Sequence, residues 1–278
     1  MTDNYRAEIG HINFLNVLPL NYFYATGGAK DFNLTLGVPA LVNEKIKNNL
    51  LDVTLMSSIE YARQSKNLVL VPKICIRAEG DVTSIILLSR KPIDRLDGER
   101  VAITSKSATA HCLLKIILAE SYGLKPNYVT ENLSVENPVH SESAAALFIG
   151  DDALYLHLHR NEKFLYYDLG AEWQKLTGKQ MVYAVWAARK DFEPALLRET
   201  CAKIYDGLQF GLKNKSAAIN SVTGIKPFTY DELDKYLGGV IKWDLTAASI
   251  DALKTFYKFA HKNNLLDELP TIKPIGGV

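Results

Sequence analysis

The stretch Val101-Ala-Ile-Thr-Ser-Lys-Ser-Ala-Thr-Ala-His-Cys-Leu-Leu-Lys-Ile-Ile-Leu118 contains a short apolar strand that leads directly into a helix. The strand is predicted over residues 101–103, and the helix begins near Ser107, a favoured N-cap residue type. Gly123 and Pro126 predict the end of the helix. Apolar residues recur along the helix at spacings of three and four and form one stripe: Ala110, Leu113, Leu114, Ile117 and Leu118.

The same alternation of short apolar runs and helical segments extends over most of the chain. It predicts an α/β fold with mixed, mostly parallel sheets flanked by helices. From about Phe192 onward the pattern predicts helices only, over residues 194–213, 229–238 and 247–262. The other runs that predict strands are 7–14, 53–56, 68–76, 85–88, 145–149 and 182–187.

The length of 278 residues favours two lobes with a ligand cleft between them. Two apolar crossings, at residues 83–90 and 182–189, lie one lobe's length apart, and no flexible linker is visible. We therefore expect a discontinuous first lobe made of residues 1–87 and 187–278. We expect residues 88–186 to form the second lobe, with hinges near residues 88 and 186.

Composition excludes several classes of function. The formal net charge is +1, so no sequence-wide positive field exists to bind nucleic acid or an anionic membrane. Three widely spaced cysteines favour a reducing compartment over a disulfide framework. Residues 1–10 lack the pattern of a secretory signal, and no uncharged run is long enough for a membrane span. A cytoplasmic protein is expected, with its oligomeric state open.

Familiar catalytic motifs are missing from the sequence. There is no G-x-G-x-x-G or G-x-x-x-x-G-K-[ST] phosphate loop, no H-E-x-x-H and no G-x-S-x-G. His157 and His159 would project about 200° apart on a helix, so we expect no metal site there. Cys112 lies beside an apolar stripe and is expected to be inert. Nucleotide-dependent, zinc-peptidase and common hydrolase functions are therefore disfavoured.

Small polar residues stand where predicted strands pass into helices. In an open α/β sheet, ligands bind outside the carboxyl ends of the strands, where helix N-termini offer free N–H groups that suit carboxylates. Each such residue could equally be a simple helix cap, because Ser, Thr, Asn and Asp are the favoured caps. The candidates are Asn16, Ser57, Ser58, Ser107, Thr109, Gly150 and Asp151.

Several blocks of the sequence are similar to the chorismate dehydratase family of the futalosine route to menaquinone. The likeness begins with Ile9-Gly-His-Ile-Asn-Phe-Leu-Asn-Val-Leu-Pro-Leu20 and continues in the blocks at 51–61, 80–84, 96–102, 144–154, 168–173, 177–178 and 185–187. Two positions depart from the family pattern. Ala110 replaces a hydroxyl residue, which could alter one ligand hydrogen bond, and Lys179-Gln180 replaces Leu-Pro, which puts a loop conformation in doubt.

The resemblance implies a two-lobe fold like that of type II periplasmic binding proteins. It also implies a lyase that removes water from chorismate, a small dicarboxylate, to give 3-[(1-carboxyvinyl)oxy]benzoate without any metal or organic cofactor. A base must take the hydrogen from the ring carbon that bears the enolpyruvyl ether, and the adjacent hydroxyl must leave. Positioning and charge control are then the protein's task.

The matching motifs imply roles for individual residues. Asn16 is expected to face the reacting ring, and Ser84 to bind a carboxylate or the leaving hydroxyl. Ser57, Ser58, Ser107, Thr109, Gly150 and Asp151 are expected to contact the substrate. The motifs contain no evident base: Asp151 and Glu60 are the only acids at a junction, so a substrate carboxylate that acts as its own base is an alternative.

Two other functions remain open at this point. One is a cytoplasmic binding protein for a small organic acid, which is the commonest use of the implied fold. The other is a different futalosine-pathway enzyme such as dihydroxynaphthoate synthase, whose opening Ser-Pro-Cys-Pro-Asn-Asp-type segment has no counterpart here.

Overall fold

A computed structural model describes residues 6–272, so the ends of the predicted first lobe, including half of the N-terminal segment 1–10, lie outside the described residues. The helices are α1 (Leu18–Ala25), α2 (Pro39–Lys47), α3 (Ser58–Gln64), α4 (Ala108–Tyr122), α5 (Gly150–Leu158), α6 (Leu169–Thr177), α7 (Pro194–Lys213), α8 (Lys215–Asn220), α9 (Tyr230–Lys235) and α10 (Ala247–Lys262). The strands are β1 (Glu8–Ile12), β2 (Asn33–Gly37), β3 (Val53–Ser57), β4 (Leu68–Ala78), β5 (Ile85–Ser89), β6 (Arg100–Ile103), β7 (Asn127–Thr130), β8 (Ala145–Ile149), β9 (Leu165–Asp168), β10 (Met181–Arg189) and β11 (Lys242–Leu245). A 3-10 turn spans Leu15–Val17, and a π-helical turn spans Tyr236–Val240.

The strands form two sheets. The larger has the order β11-β4-β10-β3-β1-β2, and the smaller has the order β7-β6-β8-β5-β9. Strand β1 pairs parallel with β2 and β3, and β6 pairs parallel with β7 and β8. The remaining pairs, which involve β10, β4 and β5, are antiparallel. The mixed two-lobe α/β fold is confirmed, although parallel pairing does not predominate as expected.

The chain passes between the sheets twice. Residues 79–84 lead from β4 into the smaller sheet, and residues 178–180 lead back into β10. The positions predicted as hinges, 88 and 186, lie inside β5 and β10, where ladder hydrogen bonds on both sides fix the backbone. The division into lobes stays a prediction, and the sheets favour placing its crossings in the two connections.

The terminal segment contains a strand that the sequence pattern did not show. Helices α7 and α10 have the expected bounds, but β11 lies between them and joins the edge of the larger sheet. The expectation of helices alone after Phe192 is therefore wrong. Helix α10 packs back onto the second lobe, where Trp173 of α6 meets Phe256 and Phe259 edge to face.

The unusual pair Lys179-Gln180 lies in the second connection. Lys179 Nζ contacts Asp251 Oδ2 at 2.5 Å on α10, and Gln180 Oε1 accepts a hydrogen bond of 2.6 Å from buried Arg77. Side-chain contacts thus fix this loop against the first lobe. Among residues 6–272, no helix is both long and apolar enough to cross a membrane.

Candidate active site

A cavity lies between the two lobes, at the carboxyl ends of β1, β3, β6 and β8. About 50 Å³ within it is open to water-sized groups. Five of the predicted site residues line it, namely Asn16, Ser57, Ser84, Ser107 and Gly150, so strands that are distant in the sequence converge here as the sheet-edge rule predicts. The other lining residues are Tyr183 and the apolar group Ile12, Phe14, Pro39, Leu55, Met56, Ile76, Val82, Ile85, Ile149, Ala184 and Ile241.

Asn16 projects from the 3-10 turn that follows β1. Its backbone carbonyl accepts a hydrogen bond of 2.9 Å from Trp243 Nε1 on β11, so the terminal strand anchors this turn. The side-chain Oδ1 is buried and has no hydrogen-bond partner among the described residues. A buried acceptor without a partner costs about 1–3 kcal/mol, so this oxygen favours a ligand that carries a donor.

Ser84 lies at the end of the first connection and is buried. The backbone N–H of Gly150 donates a hydrogen bond of 2.8 Å to the carbonyl oxygen of Ser84, which ties the connection to the start of α5. Gly150 has a φ of +64°, and a Cβ there would lie 3.1 Å from a ring carbon of Phe14. Glycine is therefore favoured at this point by the left-handed backbone, and a larger residue would need the Phe14 ring to shift by a few tenths of an ångström.

Three predicted substrate contacts do not line the cavity. Ser58 and Thr109 are fully buried against each other, with their hydroxyl oxygens 3.3 Å apart, and Ser58 also donates to Val182 O. Asp151 Oδ1 accepts from Leu15 N at 3.0 Å, and its Oδ2 pairs with Lys226 Nζ at 2.9 Å. These side chains join elements of the two lobes. Each leaves the start of its helix in a different direction from the nearby residue that lines the cavity, namely Ser57, Ser107 or Gly150.

The other residues that the sequence singled out lie at the edge of the cavity or outside it. Ser107 accepts a hydrogen bond from Ala110 N as the cap of α4, and Ala110 itself is buried in the core and does not line the cavity. Glu60 faces a separate groove that His111 also lines, and it pairs with Arg63. Burial lowers the pKa of His111. Burial raises the pKa of Cys112 to about 12, so its thiol is inert.

Two tyrosines near the cavity were not among the predicted residues. Tyr183 lines the cavity from β10, and its buried hydroxyl has no hydrogen-bond partner among the described residues. Tyr236 donates a hydrogen bond of 2.8 Å to Ser84 Oγ. Burial raises the pKa of both phenols well above the ordinary value, so both remain protonated at neutral pH. The sequence offers one indication of Tyr183, since this residue carries a polar hydroxyl group within the apolar run 182–187.

The first connection is held by a single carboxylate. Asp168 caps α6 by accepting from Gly170 N and Ala171 N, and it also accepts from the backbone N–H groups of Val82 and Thr83. Thr83 has a φ of +58°, which is rare for a β-branched residue. Asp168 therefore holds a strained backbone immediately before Ser84.

The electrostatic character of the cavity follows from its lining. The residues of the described chain that line it include no carboxylate, amine, guanidinium or imidazole. Hydroxyls, one amide and helix starts are the polar groups available there. Such groups bind carboxylates by hydrogen bonding, but none of them is a general base at neutral pH.

Comparisons with known proteins agree with this architecture. A family model described as menaquinone biosynthesis matches residues 7–262. A chorismate dehydratase of Thermus thermophilus is 29% identical over 200 residues, which cover 67% of this chain and 71% of that protein. A chorismate dehydratase of Campylobacter jejuni is 26% identical over 262 residues, which cover 92% of this chain and 98% of that protein.

Solved structures show the same fold. A protein from Archaeoglobus fulgidus matches with a TM-score of 0.78 and 18% identity over 95% of this chain and 100% of that one. The alkanesulfonate-binding protein of Xanthomonas axonopodis pv. citri, bound to MOPS, matches with a TM-score of 0.69 and 15% identity over 95% and 96% of the two chains. These identities support the periplasmic-binding-protein-like fold and nothing more specific.

Proposed function

Since this chain belongs to the menaquinone biosynthesis family, we propose that it is a chorismate dehydratase. It converts chorismate to 3-[(1-carboxyvinyl)oxy]benzoate and water, the first step of futalosine-dependent menaquinone biosynthesis, and is a carbon–oxygen hydro-lyase. Two relatives named chorismate dehydratase support this assignment. One structural observation carries it: an interlobe cavity whose polar lining includes the unpartnered Asn16 Oδ1 and no charged side chain among the described residues.

The uncharged lining bears on the proton acceptor. Elimination of water requires a base at the ring carbon bearing the enolpyruvyl ether, and the lining residues within 6–272 offer no carboxylate or imidazole for this purpose. We propose that a carboxylate of the substrate removes this proton. Intramolecular placement of a base supplies a large effective concentration, so a weakly basic carboxylate is sufficient when its geometry is fixed.

The protein side chains then have positioning roles. Asn16 Oδ1 is an acceptor for a donor group on the substrate, and its amide holds the reacting ring against the turn after β1. Ser84 receives a carboxylate or the leaving hydroxyl. Ser57 lies on the first-lobe side of the cavity with Asn16, and Ser107 and Gly150 form the opposite wall from the second lobe. Ser58, Thr109 and Asp151 hold the walls together from outside the cavity.

The cavity size indicates a closed state. Ligand pockets commonly measure about 300–1,000 Å³, and the space here is about 50 Å³. We therefore propose that the lobes part to admit the substrate, with the connections at 79–84 and 178–180 as the segments about which they turn.

Incubation of the purified chain with chorismate tests the proposal. Without any added cofactor, we expect an aromatic enol ether to form, followed by its ultraviolet absorbance and by the mass loss of one water. Asn16→Leu should lower kcat by about 100-fold or more, with a smaller effect on KM, because a group used chiefly in the transition state affects the rate constant. Asn161→Leu, an exposed control, should retain wild-type turnover.

The alternatives give different outcomes in the same assay. If the folded protein binds chorismate and does not convert it, this result would favour a small organic-acid binding protein. Turnover of a futalosine-type nucleoside in place of chorismate would favour another enzyme of the pathway, such as dihydroxynaphthoate synthase. Unchanged turnover of the Asn16 variant would remove Asn16 from the site.

A further inference from the structure

Tyr236 reaches the candidate site from the π-helical turn that follows α9. The phenol is fully enclosed, and its hydroxyl donates to Ser84 Oγ at 2.8 Å. This bond joins the terminal segment to the first connection across 152 residues of chain. Ser84 lines the cavity and Tyr236 does not, so Tyr236 would act on a bound molecule only through Ser84.

The bonds around Ser84 define where its own hydrogen is free to go. A serine hydroxyl has one hydrogen and two acceptor lone pairs, and Tyr236 occupies one lone pair. The internal acceptor for the Ser84 hydrogen is Val82 O, at a long 3.3 Å. That carbonyl already accepts shorter bonds from Ser84 N at 2.7 Å and from Thr83 Oγ1 at 2.8 Å. The Ser84 hydrogen is therefore weakly held.

We propose that Tyr236 is a positioning residue that makes Ser84 a hydrogen-bond donor toward the substrate. By filling an acceptor site on Ser84 Oγ, the phenol directs the serine hydrogen into the cavity, toward an oxygen of the substrate. The inference rests on the proposed dehydratase function, since both oxygens assigned to Ser84, a carboxylate and the leaving hydroxyl, are acceptors. A donor held toward the departing oxygen stabilises the charge that develops on it.

A double-mutant cycle tests this role. Tyr236→Phe keeps the ring and removes only the donor, and we expect it to lower kcat/KM for chorismate by about tenfold, the usual scale for one buried hydrogen bond. In a Ser84→Ala background, the same substitution should change kcat/KM by less than about twofold, because Tyr236 acts only through Ser84. A purely structural tyrosine would cost the same factor in both backgrounds.

Two controls accompany the cycle. Tyr122→Phe removes another hydroxyl hydrogen bond, to Glu172, in the second lobe, and should leave turnover at the wild-type level. Incorporation of 3-fluorotyrosine at position 236 retains the donor and should preserve turnover, which keeps the test valid if the phenylalanine variant folds poorly. Equal losses in both backgrounds, or full activity of Tyr236→Phe, would overturn this role alone. No turnover by the wild-type chain would overturn both this role and the dehydratase function.

Discussion

Buried His11 makes the stability of this protein depend on pH in a calculable way. The imidazole lies in β1, stacked on Trp186 with ring centroids 5.8 Å apart, and its Nε2 is 2.7 Å from Asn21 Oδ1. Burial lowers the pKa of His11 from 6.5 to about 4, and the Asn21 hydrogen bond offsets this only in part. The ring is therefore neutral in the folded protein at neutral pH.

The sign follows from proton linkage. Below pH 6.5 the unfolded chain takes up a proton at His11, while the folded chain does not until about pH 4. The contribution of His11 to the free energy of unfolding is thus most favourable above pH 6.5 and falls as the pH decreases. From the two pKa values, the His11 contribution amounts to a loss of about 2 kcal/mol by pH 5 and about 3 kcal/mol by pH 4.

Urea denaturation between pH 7 and pH 4 measures this contribution as a difference between two proteins. His11→Gln removes the titrating ring and keeps an N–H donor toward Asn21, so its unfolding free energy should fall less steeply with decreasing pH than that of the wild type. His159→Gln, a substitution at an exposed histidine, is the matched control. Parallel curves for wild type and His11→Gln would refute the reasoning, as would a His11 ring that titrates near pH 6.5 in nuclear magnetic resonance spectra.

Two further substitutions test the supports of the cavity. Asp168→Asn should lower the unfolding free energy by about 2–4 kcal/mol, because an amide presents hydrogens to backbone N–H groups that now share a carboxylate. The control Glu193→Gln, at an exposed helix cap, should lower it by less in the same urea titration. An equal loss in both variants would contradict the role of Asp168 in joining α6 to the first connection. Gly150→Ala should raise KM for chorismate severalfold, because its methyl group presses on Phe14. Gly98 has a similar positive φ but open space around it, and it lies outside both connections between the lobes. A similar rise in KM for Gly98→Ala would show that backbone strain alone is responsible.

The parts of the fold that the sequence predicted are those with strong local signals. Helix α4 begins after the cap Ser107 and ends at Gly123, whose φ of +68° is the left-handed conformation that closes helices. Helices α7 and α10 likewise have continuous apolar stripes and clear caps, Glu193 and Thr246. In each case the signal and the element lie in the same short segment, so no tertiary information is needed.

The strands that the sequence pattern missed share one physical property. All four of them, β2, β7, β9 and β11, lie at the edges of their sheets. Edge strands are partly solvated, and these four carry exposed or half-exposed residues where central strands such as β3 and β5 are buried throughout. A search for apolar runs therefore finds central strands and passes over edges.

The same limit applies to the candidate site. Sequence reasoning finds the junctions, but successive residues at a helix start point about 100° apart, so it does not distinguish Ser57, which lines the cavity, from Ser58, which is buried against Thr109. Tyr236 was invisible for another reason, because its partner Ser84 is 152 residues away. Contacts of this kind depend on how the terminal segment returns to the lobes.

The near-zero net charge has a counterpart in the cavity. A dianionic substrate would ordinarily be expected to meet arginine or lysine, yet the described residues that line the cavity are uncharged. A cation placed there would stabilise a substrate carboxylate and so lower its basicity. Hydroxyls, an amide and helix starts hold a carboxylate with a weaker field. If the substrate supplies its own base, a neutral cavity is the one that leaves this base strong enough to act.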